Sequence, residues 1–182
     1  IDDSGSRNRY ASFRMVAEIA MRRGARLLLE TGTARNGIGN CGGDGCSTAI
    51  LGRLARVLQG RLHTVDISGD SIEGARQGTL DLADYIDYHV SDSVEFLAKF
   101  EQQVDVLYLD SYDYDGIEYG PSQQHHLKEL QAIWGKVHDN TVIFLDDCSF
   151  AYEGKCKMAS QFLREKGWRL VVDAYQRVYV KE

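Results

Sequence analysis

Four strand-length apolar runs in this sequence each end in acidic residues. The runs are LLLE, HTVD, VLYLD and VIFLDD, and their terminal acids are Glu30, Asp66, Asp110, Asp146 and Asp147. Segments with the apolar spacing of amphipathic helices separate these runs along the chain. The alternation predicts an α/β fold with a doubly wound, mostly parallel sheet of the Rossmann-like kind.

The last two strand-like runs, WRLVVDA and QRVYVKE, lie too close together for a helical crossover between them. Such spacing predicts an antiparallel hairpin at the end of an otherwise parallel sheet of seven strands. No linker or repeat interrupts the 182 residues, so we predict a single domain over residues 1–182. Because the sequence starts without Met and without a targeting segment, we expect it to be part of a longer chain, whose other domains are candidate partners.

The composition argues against several classes of function. The net charge is −6 at pH 7, which gives no electrostatic basis for binding nucleic acid. The apolar runs are strand-sized, so we expect no membrane span and no membrane partner. The four cysteines, at C-x4-C and C-x7-C spacing, match no common zinc pattern. We interpret them as reduced thiols of a cytoplasmic protein, with a metal or disulfide pair as the alternative.

Six glycines lie between Glu30 and Ser47, in the connection from the first strand to its helix. In doubly wound sheets ligands bind beyond the carboxyl ends of the strands, where glycines let main-chain N–H groups approach a ligand. Gly37, Gly39 and Gly42 form a literal G-x-G-x-x-G, although it begins several residues after the strand instead of in its tight turn. We therefore predict a cofactor crevice at this loop, with a flexible surface loop as the alternative.

Two further strand ends carry residues suited to an adenosine cofactor. Asp66 ends the second strand, where an acid typically accepts hydrogen bonds from ribose hydroxyls. Asp92 and Ser93 follow the third strand and are candidates for the adenine edge, although a helix cap by Ser91 or Asp92 explains them equally well. Neither feature separates NAD from S-adenosylmethionine.

The order of LLLETGT, LHTVDIS, YHVSDSVEFL, VDVLYLDSYDYD and VIFLDDCSF, followed by the hairpin, resembles class I S-adenosylmethionine-dependent methyltransferases. It is most similar to the metal-dependent O-methyltransferases that act on catechols and macrolide sugars. The resemblance implies S-adenosyl-L-methionine as the cofactor, with Ser47 near its methionine carboxylate. The other cofactor-binding residues that it implies are Glu30, Gly32 and Thr33 at the methionine end, Asp66 and Ile67 at the ribose and adenine, and Asp110 and Tyr112 beside the cofactor.

The same resemblance implies that Asp110, Asp146 and Asp147 hold a divalent cation, with Mg²⁺ as the expected ion. Carboxylate oxygens suit Mg²⁺, which would orient an acceptor diol and lower the pKa of its hydroxyl. Asp113 is the predicted catalytic base, because it stands where the catechol enzymes have a lysine and the sugar-methylating enzymes an aspartate. His126 is a second candidate for the base, with a half-buried structural histidine as the alternative. Helix caps and surface turns remain the alternative for the acids.

These observations predict a metal-assisted O-methyltransferase that uses S-adenosylmethionine on a hydroxylated small molecule, sugar or glycan. An NAD(P)-dependent oxidoreductase of the Rossmann type is the main alternative, favoured by the G-x-G-x-x-G and Asp66. An oxidoreductase of this type would give Asp110, Asp146 and Asp147 no catalytic or binding role. A catalytically silent nucleotide-binding domain is the third alternative, since it needs the crevice but none of these acids.

Overall fold

The sheet and its helices are seen in a computed structural model that describes residues 9–43, 45–114, 117–149 and 151–181. The α-helices are α1 (Tyr10–Arg23), α2 (Ser47–Leu58), α3 (Gly69–Gly78), α4 (Ser93–Lys99), α5 (Gly120–Ile133) and α6 (Lys157–Glu165). The strands are β1 (Leu27–Thr31), β2 (Arg61–Asp66), β3 (Ile86–Val90), β4 (Val104–Leu109), β5 (Val137–Leu145), β6 (Arg169–Asp173) and β7 (Arg177–Val180). Short 3-10 helices cover Leu80–Tyr85, Trp134–Lys136 and Ala151–Cys156. Within these ranges, no helix has the length and apolar character needed to cross a membrane.

The seven strands form one sheet in the order β3-β2-β1-β4-β5-β7-β6. The pairs from β3 to β5 are parallel, whereas β7 is antiparallel to both β5 and β6. The predicted fold class and terminal hairpin are therefore confirmed. Chain order runs outward in both directions from β1 and β4, so the switch point where such sheets bind ligands lies between these two strands.

Both faces of the sheet are buried, which explains why its central strands read as continuous apolar runs. Successive residues of a strand point to opposite faces. In β1, Leu28 packs into the core on the side of α1 and α2, and Leu29 packs into the core on the side of α4, α5 and α6. Neighbouring strands repeat the alternation in register, with Val106 and Leu107 in β4.

The cysteines form two disulfides, so the expectation of reduced thiols is wrong. Cys41 pairs with Cys46 in the β1–α2 loop, and Cys148 pairs with Cys156 between β5 and α6. Each loop turns back on itself, which brings the paired Cα atoms to 4.8 and 5.1 Å, within the range for a disulfide. Stable disulfides are typical of oxidising compartments, and they weaken the prediction of a cytoplasmic location.

Candidate functional site

The backbone ladder of the sheet continues past the strand ends and brings the predicted acids to one edge. The N–H of Gly32 donates to the carbonyl of Val65 at 2.9 Å, and the N–H of Asp110 donates to the carbonyl of Thr31 at 2.9 Å. The N–H of Asp146 donates to Leu109 in the same way at 3.1 Å. The carboxyl ends of β2, β1, β4 and β5 therefore form one continuous rim.

A cavity of about 380 Å³, here called the inner cavity, opens at this rim on the β2 and β3 side. Its lining residues are Gly32, Arg35, Val65, Asp66, Ile67, Ser68, Ser71, Asp92, Ser93, Asp110, Ser111, Tyr112, Asp113 and His125. Most of the predicted cofactor residues are in this set. Arg35, Ser111 and His125 also line the cavity and were not predicted from the sequence.

Asp66 and Asp92 are held at the inner cavity by backbone N–H groups. The carboxylate of Asp66 accepts from the N–H of Thr33 at 3.1 Å and from that of Ser68 at 2.8 Å. Asp92 accepts from the N–H of Glu95 at 2.9 Å and so caps α4 while also lining the cavity. The helix cap by Asp92 is therefore confirmed, and its contact with adenine stays a prediction.

Glu30 and Ser47 do not line the inner cavity; they are buried beneath the loop that follows β1. The hydroxyl of Thr48 donates to Oε2 of Glu30 at 2.7 Å and accepts from the N–H of Ala34 at 2.9 Å. Burial raises the pKa of Glu30 to about 7, although hydrogen bonds from nearby hydroxyls act in the opposite direction. Oε1 of Glu30 has no hydrogen-bond partner in the described part of the chain. The Glu30–Thr48 contact fixes the loop that follows β1.

A second cavity of about 440 Å³, here called the outer cavity, adjoins the first. Its lining residues are Arg9, Gly32, Thr33, Arg35, Asn40, Gly43, Asp110, Asp113, Tyr114, Asp147 and Tyr175. Four of these residues also line the inner cavity, namely Gly32, Arg35, Asp110 and Asp113. The two cavities therefore share a wall, and Asp110 and Asp113 are accessible from both sides of it.

The acids predicted to hold a metal are brought together, but a lysine lies between two of them. Nζ of Lys155 is 3.1 Å from Oδ1 of Asp110 and 2.9 Å from Oδ2 of Asp147. Only 1% of the lysine side chain is exposed. Asp147 also accepts a short hydrogen bond from the hydroxyl of Tyr175. The side chains around Asp110 and Asp147 thus supply the positive charge and the donors that these carboxylates need.

The third acid, Asp146, is fully buried and has its own cation. Nε of Arg9 donates to Oδ2 of Asp146 at 2.8 Å, and the hydroxyl of Tyr108 donates to the same oxygen at 2.5 Å. The other oxygen of Asp146 accepts from the N–H of Asp147 at 2.8 Å. Arg9 also lies over the ring of Tyr175, 4.5 Å from its centroid.

The pKa shifts in the acid cluster follow from burial and from these contacts. Burial and the neighbouring Asp146 raise the pKa of Asp110 well above its usual value, despite the opposing effect of Lys155. Burial alone would raise the pKa of Asp147 too, but Lys155, Tyr175 and Arg9 together lower it. Burial likewise disfavours the charged lysine, yet Asp110 and Asp147 raise its pKa overall, so Lys155 remains an ammonium ion.

These side chains do not fit the predicted metal site. The described residues contain no group of three His, Cys, Asp or Glu side chains placed to hold a metal ion. The physical reason is that Lys155 and Arg9 already neutralise the carboxylates that a divalent ion would need. The structure therefore supports the predicted cluster of acids but not the predicted ion.

A profile of a methyltransferase-domain family matches residues 40–148, which are more than half of the chain. The chain belongs to this methyltransferase family. The resemblance to class I S-adenosylmethionine-dependent methyltransferases is thereby confirmed. A comparison with curated proteins finds no significant match.

Solved structures similar to this methyltransferase share its fold across nearly the whole chain. An O-methyltransferase from Bacillus cereus in complex with SAH is 16% identical, with 97% of this chain and 83% of that chain covered and a TM-score of 0.63. The SAH-bound methyltransferase PaMTH1 from Podospora anserina is 12% identical, with coverage of 100% and 82% and a TM-score of 0.67. The N-methyltransferase NodS from Bradyrhizobium japonicum is 14% identical, with both chains fully covered and a TM-score of 0.62. Because O- and N-methyltransferases both occur among these neighbours, the fold does not decide which atom is methylated.

Asp113 of the methyltransferase lies at the shared wall, where Arg35 pairs with it. Nη1 of Arg35 is 2.8 Å from Oδ2 of Asp113, and Nη2 donates to Oδ1 at 3.1 Å. Both side chains are more than half exposed. The predicted base is therefore accessible to a ligand in either cavity, and Arg35 holds its orientation.

His126 lies outside both cavities, and its predicted role as a base is not supported. Its side chain is fully buried, and its Nε2–H donates to the carbonyl of Ser111 at 3.1 Å. Burial lowers the pKa of His126 to about 4, so the ring is neutral near pH 7. The adjacent His125 faces the inner cavity instead and shares a hydrogen bond with Oγ of Ser93 at 2.9 Å. The sequence analysis selected His126, whereas its neighbour His125 is the histidine that lines the cavity.

Two residues at the rim have backbone conformations that side chains usually avoid. Tyr112, after β4, has φ of 59°, and Asp147, after β5, has φ of 57°. Such positive φ values in non-glycine residues cost about 1–3 kcal/mol each and concentrate at functional sites. In this methyltransferase they aim Tyr112 at the inner cavity and Asp147 at the outer one.

Proposed function

We infer that this methyltransferase transfers the methyl group of S-adenosylmethionine to a hydroxyl oxygen of a polyhydroxylated small molecule, sugar or glycan. The observation that carries the proposal is the wall shared by two cavities. A cofactor in the inner cavity and an acceptor in the outer cavity would meet across Asp110 and Asp113. Methyl transfer needs such an arrangement, because the attacking oxygen, the methyl carbon and the sulfur must lie in line.

The inner cavity suits the adenosine part of the cofactor. Asp66 presents a carboxylate that can accept from ribose hydroxyls, and Ile67 is 76% exposed beside it to contact the adenine face. Asp92 and Ser93 lie at the same cavity for the polar edge of the base. Glu30 remains a proposed neighbour of the ammonium group of the methionine part, beneath the loop that carries Gly32 and Thr33. Ser47 remains a proposed neighbour of the methionine carboxylate.

The outer cavity suits an acceptor with several hydroxyl groups. Asn40, Arg35 and Asp147 offer hydrogen-bonding groups of both kinds. Tyr114 and Tyr175 add aromatic surface on which a sugar ring or a catechol ring can pack.

Asp113 is the proposed base for the reaction. Its carboxylate takes the hydroxyl proton while the acceptor oxygen attacks the methyl carbon of the cofactor. The carbon–sulfur bond breaks, its electron pair stays on sulfur, and the sulfonium becomes the neutral thioether of S-adenosylhomocysteine. No step of this proposal passes through a divalent cation, because Lys155 and Arg9 occupy the positions around the acids.

Calorimetric titration of the chelator-treated protein with S-adenosylhomocysteine, and separately with NAD, tests the cofactor assignment. We expect S-adenosylhomocysteine to bind and NAD to give no heat. Asp66→Asn should weaken this binding at least 10-fold, whereas Asp70→Asn, on an exposed residue of α3, is the matched control. Binding of NAD alone would refute the proposal and favour the oxidoreductase.

Incubation with radiolabelled S-adenosylmethionine and a panel of catechols, free sugars and glycans tests the acceptor class. We expect label in an O-methylated product. Transfer only to amines would contradict the O-directed proposal and leave the cofactor assignment intact.

A further inference from the structure

Lys155 is almost completely buried at the edge of the sheet, although charged side chains seldom leave water. Its ammonium group contacts Asp110 at the end of β4 and Asp147 after the end of β5. Oδ1 of Asp110 and Oδ2 of Asp147 are thus bridged by one positive atom. The sequence predicted a cation between carboxylates at adjacent strand ends. The structure has that arrangement, but the cation is Lys155 where a metal ion was predicted.

Several contacts fix the backbone around this lysine. The N–H of Lys155 donates to the carbonyl of Asp147 at 3.1 Å. The carbonyl of Gly154 accepts from the side-chain amide of Gln123 in α5 at 2.7 Å. Cys156, the next residue, is tied to Cys148 by a disulfide. The loop after β5 is therefore closed at both ends, with the lysine directed inward.

The position of Gly154 shows that the inward turn depends on its sequence. Gly154 has a φ of +50°, and a Cβ atom there would overlap the backbone carbonyl of Asp147. A side chain at this position would push the loop away from the end of β5. The sequence EGKC thus contains both the residue that permits the close approach and the residue that uses it.

The chain itself neutralises most of the charge of the acid cluster. Asp110, Asp146 and Asp147 supply up to three negative charges, and Lys155 and Arg9 supply two positive ones. Adding a divalent ion would place it within a few ångströms of the lysine ammonium, where like charges repel strongly in a partly buried site. The cluster is therefore built for a monovalent, covalently attached cation.

We propose that Lys155 takes the place of the divalent cation in this methyltransferase and acts as a positioning residue for Asp110 and Asp147. The inference deepens the proposed function, on which it rests for the meaning of the two cavities. Lys155 holds the two carboxylates at the wall between cofactor and acceptor without any dissociable ion. Its removal leaves the carboxylates of Asp110 and Asp147 without their shared cation, and a divalent metal then binds between them. Asp110 and Asp147 are each about one-fifth exposed, so an ion can reach them.

Calorimetric titration with Mn²⁺ as the probe, on the whole chain treated with a chelator and dialysed, tests the proposal. The proteins are the wild type, Lys155→Ala, Asp147→Asn, Lys155→Ala with Asp147→Asn, and Lys157→Ala. Lys157 is exposed at the start of α6 and provides the matched control for loss of one lysine charge. Circular dichroism verifies that each variant is folded, and S-adenosylhomocysteine is titrated into each in parallel.

We expect Mn²⁺ binding below the detection limit for the wild type and Lys157→Ala, and an affinity at least 10-fold above that limit for Lys155→Ala. The second substitution, Asp147→Asn, should abolish that gain, which a purely structural role for the lysine would not predict. Lys155→Ala that is folded but binds no Mn²⁺ overturns the proposal. The proposal is also overturned if the wild type binds Mn²⁺ tightly and Asp147→Asn removes that binding. This comparison decides the question even if Lys155→Ala does not fold. Failure of the wild type to bind S-adenosylhomocysteine would refute the proposed function, while the Mn²⁺ result still tests Lys155.

Discussion

A Cβ atom on Gly32 would lie 2.6 Å from the backbone carbonyl oxygen of Asp110. Gly32 also has a φ of +74°, in the left-handed region that favours glycine. The end of β1 and the end of β4 therefore approach each other at a distance that any side chain would increase. This contact forms part of the wall shared by the two cavities, because Gly32 and Asp110 line both of them.

Replacing Gly32 with Ala should separate these strand ends and damage the cofactor site. The overlap is with backbone, which moves less readily than a flexible side chain, and the positive φ adds strain of about 1–3 kcal/mol. We expect at least a 10-fold loss of affinity for S-adenosylhomocysteine, measured by calorimetry, and a lower Tm. Gly135→Ala is the control, since a Cβ there meets no atom within 4 Å and should leave the affinity unchanged. Normal affinity in Gly32→Ala would show that the strand ends can move apart without harm to the site.

Two buried groups should have opposite effects on stability as the pH changes. Burial raises the pKa of Glu30 from 4.5 to about 7, so its contribution to the free energy of unfolding is complete below about pH 4.5 and is lost as the pH rises to 7. Burial lowers the pKa of His126 from 6.5 to about 4, although Glu129 opposes that shift. The contribution of His126 is therefore complete above about pH 6.5 and is lost as the pH falls to 4. Each effect is worth about 3 kcal/mol, from 1.36 kcal/mol per pKa unit.

Because these two windows overlap, the contributions of Glu30 and His126 largely cancel in the wild type, and single variants should reveal them. Between pH 4.5 and 6.5, Glu30→Gln should become more stable as the pH rises, whereas His126→Asn should become less stable. Urea unfolding at closely spaced pH values measures both slopes, whatever the absolute stability of each variant. Two variants with the slope of the wild type would mean that neither side chain is buried as described.

The disulfide between Cys148 and Cys156 should fix the position of Lys155, whereas that between Cys41 and Cys46 should not affect it. Each closes a short loop and should stabilise the folded chain by about 2 to 3 kcal/mol, from the entropy of loop closure. We expect the paired Ser variants of either disulfide to unfold at lower denaturant concentration by similar amounts. Only Cys148→Ser with Cys156→Ser should also permit Mn²⁺ binding, because Lys155 lies inside that loop and is released from Asp110 and Asp147. Equal binding in both double variants would argue against this coupling.

Replacing Asp113 with Asn should slow methyl transfer without weakening cofactor binding. The amide keeps the shape of the side chain and can still contact Arg35, but it cannot accept a proton. Loss of a general base typically lowers kcat by about 10² to 10⁴. Asp139→Asn, which alters an exposed carboxylate paired with Lys181, provides the control. Unchanged turnover with the acceptor found in the panel would exclude Asp113 as the base.

The acids at the strand ends show which features of the fold local sequence can predict. Apolar runs that finish in Glu30, Asp66, Asp110 and Asp146 specify buried parallel strands, and parallel strands bring their carboxyl ends to one edge. The sheet class, its terminal hairpin and most of the inner cavity follow from this rule. Each depends on periodicity and chain order, which a sequence displays directly.

Long-range contacts were not predictable in the same way. Lys155 lies eight residues after Asp147 in the stretch DDCSFAYEGK, and no spacing rule places a loop lysine between two carboxylates. Arg9 contacts Asp146 from 137 residues away in the sequence. His125 and His126 are neighbours in the chain, yet only the packing of α5 decides which one faces the inner cavity.

The sequence by itself determined that successive buried strands end in acidic residues, because that pattern is local and repeats along the chain. Only the tertiary structure decided what neutralises those acids. A buried carboxylate requires a cation or a donor, but a metal ion, an arginine and a lysine all meet that requirement. The closed loop after β5 brings Lys155 to Asp110 and Asp147, and the start of α1 brings Arg9 to Asp146.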